Sequence, residues 1–317
     1  MDSNKLNICT VTLGTDAKIV NENLIEFNKL YNDVKLYIVC PKKDVEIFKE
    51  SLIEKNYEII TEDQLIEFKD FKNIFEELSK DLEYQEEFRN RLQWYYALFL
   101  KFFFIHRFFE NNGSKIVIWE GDSVILKKIK FFKNDNSLLY VFVHFYHDIF
   151  YKTCKEMLGS LPKYYGSFIT MFGSLTKDEF DYLNKSLGFN KLNNKEFCAA
   201  FSKKALSSIF KAHKVYDNAM FSDYDLMGIS NQNRNFKKQK PIFFLRSSLD
   251  GKLTIFQKII AKIFGAHLVA YEHRHPNKHS MGMLLRNQSW YRFIKIIVYY
   301  YSLFKFHQIK FNLKYYL

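Results

Sequence analysis

Apolar residues in the first third of the chain follow two alternating spacings. Short runs rich in branched residues, typical of buried strands, are separated by stretches in which apolar residues recur every three or four positions, typical of amphipathic helices. The predicted strands are "LNICTVTLG", ending at Gly14, "VKLYIVCP", ending at Pro41, and "YEII". The helical pattern "NENLIEFNKLY" lies between the first two, and a charged helical stretch follows the third and ends near Arg91. This alternation predicts a mixed, mostly parallel sheet flanked by helices.

The next two predicted elements are an aromatic helix and a short strand that is followed by acidic residues. "QWYYALFLKFFFIHRFF" predicts an aromatic helix that ends at Asn111-Asn112-Gly113, a sequence typical of helix C-termini. "KIVIWE" predicts a short strand with acidic residues at its carboxyl end. Ligands of parallel sheets bind at the carboxyl ends of the strands, so this turn is a candidate site.

The second half of the chain has a less regular pattern. "SLLYVFVHFYH" predicts one or two strands and "SFITMFGS" another. "TKDEFDYLNKSL" predicts a helix with Thr176 at its N-cap and Glu179 three residues later, and "NNKEFCAAFSKKALSSIFKAHK" predicts a further helix. The predicted organisation is one α/β domain over residues 1–280 and a basic, aromatic, helical appendage over residues 281–317.

The amino-acid composition indicates a folded, basic protein. A chain of 317 residues with 48% hydrophobic content is not intrinsically disordered. Its 47 Lys and Arg against 35 Asp and Glu give a net charge of +12. This excess indicates an anionic partner, which can be a nucleic acid, an acidic lipid or a phosphorylated small molecule.

The cysteines and the apolar runs predict a cytoplasmic protein. The four cysteines are far apart and form no C-x-x-C pair, so we expect reduced, mostly buried thiols; they are Cys9, Cys40, Cys154 and Cys198. The N-terminus lacks the basic-then-apolar order of a signal peptide. No uncharged apolar run reaches the length of about 18 residues that a membrane span needs.

The turn Glu120-Gly121-Asp122 places two carboxylates around a glycine directly after a strand. Carboxylate oxygens are the ligands that divalent cations on phosphates prefer, and a glycine allows close approach of the backbone. Two such carboxylates can hold one cation and one sugar hydroxyl. A polar turn at the protein surface explains the same residues, and the turn alone does not decide between the two interpretations.

Four segments in a fixed order suggest a family. "RLQWYYALFLKFF", "IVIWEGDSVILKKIKFF", "YGSFITMFGSLTKDEFDYL" and "MFSDYDLMG" resemble segments of a bacterial glycosyltransferase family of the GT-A type, whose members commonly build capsule or lipooligosaccharide. The resemblance implies a GT-A, Rossmann-like fold and a nucleotide-sugar donor, with a UDP-sugar as the first choice. It also implies a saccharide or lipid-linked saccharide acceptor and a divalent metal, Mn²⁺ or Mg²⁺.

The resemblance also implies roles for the acidic turn. Asp122 is expected to bind the metal on the donor diphosphate, and Glu120 to lie near the ribose or the metal. The family has Asp where this chain has Glu120, and the longer side chain reaches a different position. His279 is the candidate for completing the metal shell.

Other candidate residues come from the neighbouring segments. Gln93 and Lys101 match the helix before the turn, where Lys101 can approach a phosphate or extend into solvent as an ordinary surface lysine. Asp223 is the expected base that takes the proton of the acceptor hydroxyl in an inverting transfer, with Asp225 second; capping of a helix or turn is the alternative role for both. Backbone groups of Thr10, Val11 and Thr12 are expected to contact the nucleotide base.

The C-terminal segment combines aromatic residues with cations. After Glu272 the sequence has eight Lys or Arg and no Asp or Glu. A helix of this composition is typical of docking to an anionic membrane surface, here the inner face of the inner membrane. Packing of the helix on the main domain, or a contact between subunits, accounts for the same composition.

Two alternative functions use the same features. The charge of +12 and the aromatic residues interleaved with lysines are compatible with a nucleic-acid-binding protein. The sequence contains no recognised nucleic-acid motif, so we do not expect a nucleic acid as partner. A GT-A-like binding protein without activity is the other alternative, because Glu120 departs from the family pattern.

Overall fold

The computed structural model of the chain describes residues 5–141, 148–159, 167–217, 219–235, 240–248, 253–272 and 290–316. The helices, numbered in chain order, are α1 (Ala17–Leu30), α2 (Val45–Ser51), α3 (Phe68–Leu78), α4 (Gln85–Arg89), α5 (Leu92–Glu110), α6 (Asp148–Leu158), α7 (Lys177–Leu187), α8 (Asn194–Ala212), α9 (Asp223–Asn235), α10 (Ile255–Ile263) and α11 (Trp290–Tyr316). The strands are β1 (Leu6–Val11), β2 (Val34–Cys40), β3 (Tyr57–Thr61), β4 (Lys115–Trp119), β5 (Ser123–Ile125), β6 (Phe132–Lys133), β7 (Asn136–Ser137), β8 (Tyr140–Val141), β9 (Phe172–Thr176), β10 (Lys240–Pro241), β11 (Leu245–Ser248) and β12 (Leu268–Glu272).

The main sheet has the strand order β3-β2-β1-β4-β9. Strands β1 to β4 run parallel, with Ile8 opposite Val117 at the centre, and β9 is antiparallel to β4. Helices cover both faces of this sheet. The predicted fold class, α/β with a mostly parallel sheet flanked by helices, is therefore confirmed.

Helix α5 forms the centre of the larger core. Its aromatic side chains are buried between the sheet and α8, where Phe102 stacks on Phe201 with ring centroids 4.5 Å apart. Side chains that alternate along β1 enter different cores, so Cys9 packs with α5 while Ile8 packs with α1 on the other face. The position of α5 therefore fixes which of its residues reach the edge of the sheet.

The predicted helix ends are confirmed. Helix α5 ends at Glu110; two residues later Asn112 adopts the left-handed conformation (φ 63°), and the Gly113 N–H donates back to the Phe108 carbonyl. At the start of α7, Thr176 and Glu179 form a capping box through side-chain and backbone groups. All four cysteines are buried free thiols, as predicted.

A second sheet of order β11-β12-β5 extends from the main one. Strands β11 and β12 run parallel, and β12 pairs antiparallel with β5, which follows Asp122 directly. Helices α10 and α11 pack on this sheet through a third apolar cluster that includes Ile297 and Phe304 of α11. The predicted domain boundary at residues 280 and 281 lies outside the described residues. Within the described ranges, no helix combines the length and the apolar character of a membrane span.

Two predicted strands differ from the observed ones. The segment "SFITMFGS" was expected to be extended throughout, but β9 begins only at Phe172, because Met171 adopts a left-handed backbone (φ 65°) that ends regular pairing. Of "SLLYVFVHFYH", β7 ends at Ser137 and β8 covers Tyr140–Val141. The residues from 142 onwards in that segment lie outside the described part.

Helix α9 was not predicted, and it contains the "SDYD" acids in its first turn. The hydroxyl of Ser222 accepts a hydrogen bond from the Asp225 N–H (3.1 Å), which is N-cap geometry. Gly228 lies inside this helix, against the ring of Phe168. A Cβ added at Gly228 would meet Phe168 carbons at 2.2 Å, so the glycine permits the close approach of α9 to residues 167–171.

This contact predicts the sign of a stability change. Gly228→Ala should lower the free energy of unfolding by about 1–3 kcal/mol, because the new methyl group clashes with Phe168. A Gly→Ala change inside an exposed helix normally stabilises by about 1 kcal/mol, so the sign separates the two situations. Urea denaturation measures the difference, and a more stable variant would contradict the packing described here.

Candidate functional site

A pocket opens at the carboxyl edge of the main sheet and has a volume of about 250 Å³. One wall is a stripe of α5 formed by Trp94, Ala97, Leu98 and Lys101, residues spaced three, four and seven positions apart on one helix face. The other walls come from Val11 of β1, Glu120 after β4, Phe150 of α6, Ile169 and Met171 before β9, and residues 221–224 at the start of α9.

Lys101 is the centre of the polar part of this pocket. Its side chain is 3% exposed, and its Nζ lies 2.6 Å from Oε1 of Glu120 and 2.7 Å from Oδ2 of Asp223. The contact with Glu120 is a hydrogen bond, whereas the contact with Asp223 is at ion-pair distance but outside hydrogen-bond geometry. The ammonium also lies 4.6 Å from the centre of the Tyr224 ring. Three residues predicted from separate segments thus meet in one cluster.

The two buried charges of this cluster depend on each other. Burial lowers the pKa of Lys101, but the negative charges of Asp223 and Glu120 outweigh that effect and raise it above its ordinary value. Burial raises the pKa of the Asp223 carboxyl; Lys101 opposes this shift and Glu120 adds to it, and the pKa lies above its ordinary value. Lys101 therefore remains protonated at neutral pH, and Asp223 is more basic than an exposed aspartate.

The turn that carries Glu120 is fixed from two sides. The Glu120 N–H donates to the carbonyl of Met171 (3.0 Å), the residue with the left-handed backbone. On the other side Gly121 lies directly on β1, where an added Cβ would come within 2.4 Å of the Thr12 hydroxyl oxygen. A glycine is therefore required at position 121 for the turn to approach β1 this closely.

Asp122 lies in the same turn and is half-buried. Burial, followed by the negative charges of Glu120, Asp223 and Asp122, raises the pKa of the Tyr224 hydroxyl. The Asp122 carboxylate therefore acts on the same site as the Lys101 cluster. Its backbone carbonyl accepts a hydrogen bond from the Tyr271 N–H (2.7 Å), which joins the turn to β12.

Asp225 is not among the residues that line the pocket. It is 1% exposed, and its Oδ1 accepts hydrogen bonds from the Phe168 N–H (2.7 Å) and the Ser167 hydroxyl (3.3 Å). These contacts hold residues 167 and 168 against the start of α9. Burial raises the pKa of Asp225 to about 7, although the hydrogen bonds oppose the shift. The geometry favours Asp223 over Asp225 as the group facing a substrate.

The remaining predicted residues are placed differently. Val11 lines the pocket, while Thr10 on β1 and Thr12 directly after it lie on the other face of the sheet, against Gly121. The Thr12 hydroxyl donates to Asp16 (2.8 Å), and the Thr10 hydroxyl has no hydrogen-bond partner among the described residues. Gln93 is exposed and does not line the pocket. His279 lies outside the described residues.

Sequence reasoning missed Trp94 and Tyr224. On an α-helix a residue seven positions from Lys101 lies about 20° away around the axis, whereas one eight positions away lies about 80° away. The face that contains Lys101 therefore includes Trp94 rather than Gln93, and this signal was present in the sequence. Tyr224 was missed because α9 was not predicted. No pattern in the sequence indicated that its ring lies next to the Lys101 ammonium.

A divalent cation would find a limited set of ligands here. No group of three or more His, Cys, Asp or Glu side chains able to hold a metal occurs in the described part of the chain. Mg²⁺ bound to a phosphorylated substrate, however, commonly uses one or two carboxylates and completes its shell with phosphate oxygens and water. The turn fits that arrangement through Asp122, because Oε1 of Glu120 is already bound by Lys101.

Comparison with solved structures gives likenesses at low sequence identity, one of which is described here. No protein-family model and no curated protein sequence matches the chain. Among solved structures, the apo form of mouse xyloside xylosyltransferase 1 superposes with a TM-score of 0.41 and 10% sequence identity, covering 84% of this chain and 97% of that one.

The Lys101 cluster predicts a large effect on stability. Lys101→Met leaves Asp223 buried without a cation and should lower the free energy of unfolding by about 3 kcal/mol or more. The double variant Lys101→Met/Asp223→Asn should recover part of this loss, because it also removes the unpaired negative charge of Asp223. The control is Lys177→Met, which removes a lysine paired with Asp181 at the surface. Equal effects of Lys101→Met and Lys177→Met in urea denaturation would show that the cluster is unimportant for stability.

Asp225 predicts a pH dependence of stability. The pKa of Asp225 is about 7 in the folded chain and 3.8 for a free aspartate. Between pH 3.8 and about pH 7 the Asp225 carboxyl is therefore protonated in the folded chain and ionised in the unfolded chain. The contribution of this protonation to the stability of the folded chain is complete below about pH 4 and is lost as the pH rises through about 7. Asp225→Asn keeps an acceptor for the Phe168 N–H and removes this titration, so the variant should gain stability relative to wild type between pH 5 and pH 8, by a few kcal/mol at most.

Urea denaturation at both pH values measures this relative gain. Asp81→Asn, at an exposed aspartate outside the site, is the matched control and should keep a constant difference from wild type. If Asp225→Asn also shows a constant difference, Asp225 is not the buried, titrating group described above.

Proposed function

We propose that the protein is a glycosyltransferase that moves a sugar from a nucleotide-sugar donor, with a UDP-sugar as first choice, to a saccharide or lipid-linked saccharide acceptor in the synthesis of a bacterial surface glycan. The observation that carries the proposal is the meeting of Lys101, Glu120 and Asp223 in one pocket at the carboxyl edge of a parallel sheet. These residues belong to three separate segments that resemble the family.

The chemistry of the pocket supports transfer between a diphosphate and a hydroxyl. The diphosphate of a nucleotide sugar carries about two negative charges, and the buried ammonium of Lys101 is a cation that can face them. The wall formed by Trp94, Leu98, Ile169 and Met171 offers an apolar surface to a planar base or to the apolar face of a sugar ring. A polar centre with apolar walls is the usual composition of a small-molecule site.

The proposed reaction assigns one proton transfer to this chain. The acceptor oxygen forms a bond to the anomeric carbon of the donor, the bond from that carbon to the diphosphate oxygen breaks, and the acceptor proton moves to Asp223. Burial prepares Asp223 for this role by raising its pKa, which brings a general base closer to the pH at which it works. Lys101 keeps the carboxylate in place and faces the leaving diphosphate.

A divalent metal, Mn²⁺ or Mg²⁺, remains part of the proposal. Asp122 would hold it, and the bound ion would neutralise charge on the leaving diphosphate. Glu120 is assigned a different role from direct ligation, since its carboxylate anchors Lys101. It fixes the ammonium inside the pocket, beside the place where the diphosphate would lie.

Donor binding and turnover test the proposal separately. We expect one member of a panel of UDP-, GDP- and CMP-sugars, with Mn²⁺ or Mg²⁺, to raise the melting temperature of the wild type. Asp122→Asn should lose the metal-dependent part of this shift. Asp223→Asn should retain donor binding but lower donor hydrolysis or transfer by about 10²–10⁴-fold, because only the base is removed.

Asp81→Asn is again the control and should match wild type in both measurements. The proposal fails if no nucleotide sugar changes the melting temperature with either metal. Retention on an oligonucleotide column at moderate salt would instead favour the nucleic-acid-binding alternative, since purely electrostatic contacts weaken steeply as salt rises.

A further inference from the structure

Large apolar side chains are exposed on two helices that lie outside the pocket. Thirteen such side chains in the described residues are at least 41% exposed, and nine of them belong to α10 and α11. The other four are scattered singly, as on most protein surfaces. We call the nine residues the apolar face; they are Ile255, Phe256, Ile259, Ile263, Ile294, Val298, Tyr299, Phe306 and Ile309.

Helix α10 is apolar on both sides. Its inner side, with Ala261 fully buried, packs on the third cluster. On its outer side Ile255 is 76%, Phe256 70% and Ile263 74% exposed. At about 100° per residue the four exposed side chains cover an arc of about 100°, and Lys262 borders it. A helix that is apolar all round requires a second apolar neighbour.

Helix α11 continues the same surface. Ile297 and Phe304 face the third cluster, and Phe304 stacks on Phe243 with ring centroids 5.3 Å apart. The opposite side carries the five members of the apolar face on this helix, together with exposed Lys295 and Lys305.

The two helices turn their outer sides in the same general direction. Phe264, at the end of α10, contacts Tyr301 of α11 with ring centroids 6.0 Å apart, and both helices cover the third cluster. Since each helix directs its buried side toward that shared cluster, the exposed sides point away from it together. The two exposed sides are therefore treated as one surface, whose helices meet where Phe264 contacts Tyr301.

The charged residues of the two helices have a single sign, and the ion pair of Lys258 is formed with Glu22 of α1. Residues 255–263 and 290–316 contain lysines and one arginine but no Asp or Glu. In a twofold contact between two copies, the lysines of one apolar face would meet those of the other with no acid from either helix to pair them. Anionic lipid headgroups supply both the missing negative charge and an apolar layer beneath it.

We propose that the apolar face of α10 and α11 docks the protein on a bilayer surface that contains anionic lipids. Ile, Phe and Val side chains enter the interface, and Lys262, Lys295 and Lys305 reach the headgroups with their long side chains. The expectation from sequence concerned the C-terminal segment alone; α10 supplies a second helix of the surface. The inference stands on these residues and does not depend on the proposed transferase activity.

Strand β5 connects the acidic turn to the cluster on which α10 and α11 pack. Strand β5 follows Asp122 directly, and its Val124 belongs to the third cluster on which α10 and α11 pack.

Flotation of the full chain with lipid vesicles tests the inference without any donor. Wild type should float with vesicles of phosphatidylcholine containing phosphatidylglycerol and much less with phosphatidylcholine alone. Phe256→Ser/Ile263→Ser should weaken partitioning by about tenfold or more, because it removes two of the most exposed apolar side chains. Lys262→Gln/Lys295→Gln/Lys305→Gln should reduce the difference between the two vesicle types.

The matched control is Ile53→Ser, at an isoleucine that is 73% exposed and lies outside the apolar face. It should float like wild type. Equal flotation of Phe256→Ser/Ile263→Ser and Ile53→Ser would overturn the inference. So would a wild-type dimer that does not float and that Phe256→Ser/Ile263→Ser converts to a monomer in analytical ultracentrifugation, since the face would then join two copies.

Discussion

A buried ammonium between two carboxylates is costly unless all three groups stay together, and the arrangement of Lys101, Glu120 and Asp223 places this constraint at the centre of the molecule. Each group comes from a different element: α5, the turn after β4, and the start of α9. Helix α5 must therefore keep its register, the turn must stay on β1, and α9 must begin where it does. The features around the cluster, including Gly121 on Thr12 and Gly228 on Phe168, are consistent with this requirement.

The pocket gains its chemical character from the same constraint. The apolar walls exclude water from the charges and make their interaction stronger than at a surface. Only Glu120 of the three is appreciably exposed, with 27% of its side chain accessible, so the cluster has one open side. An anionic substrate would meet the fixed ammonium there. Asp225 has a separate role because it is buried between the first turn of α9 and residues 167 and 168, where it holds that segment and does not line the pocket.

The sequence predicted the regular parts of the fold well. Strands β1 to β4 and helices α1, α5, α7 and α8 follow from periodicity, and the Thr176 capping box from a local motif, because these signals lie within a few residues of each other. Helix α9 was missed because Gly228 and a polar sequence disfavour helix, and packing against Phe168 and β9 overrides that preference. The sheet of β5, β11 and β12 was missed because its strands are short and pair over long sequence distances. The resemblance selected Lys101, Glu120 and Asp223, but their ion pairs depend on tertiary contacts that no local pattern contains.

The antiparallel direction of β9 has a consequence for how such a site can diversify. Because β9 is antiparallel to β4, the residues that precede β9 lie at the pocket. The other end of β9, at Thr176, leads into the capped start of α7 on the opposite edge of the sheet. The wall made by Ile169 and Met171 therefore belongs to a connection, while the sheet register is set by residues 172–176. Insertions or deletions between α6 and β9 can reshape that wall without shifting a single strand pair. Substrate preference can thus change among descendants of this fold while the framework beneath it is inherited unaltered.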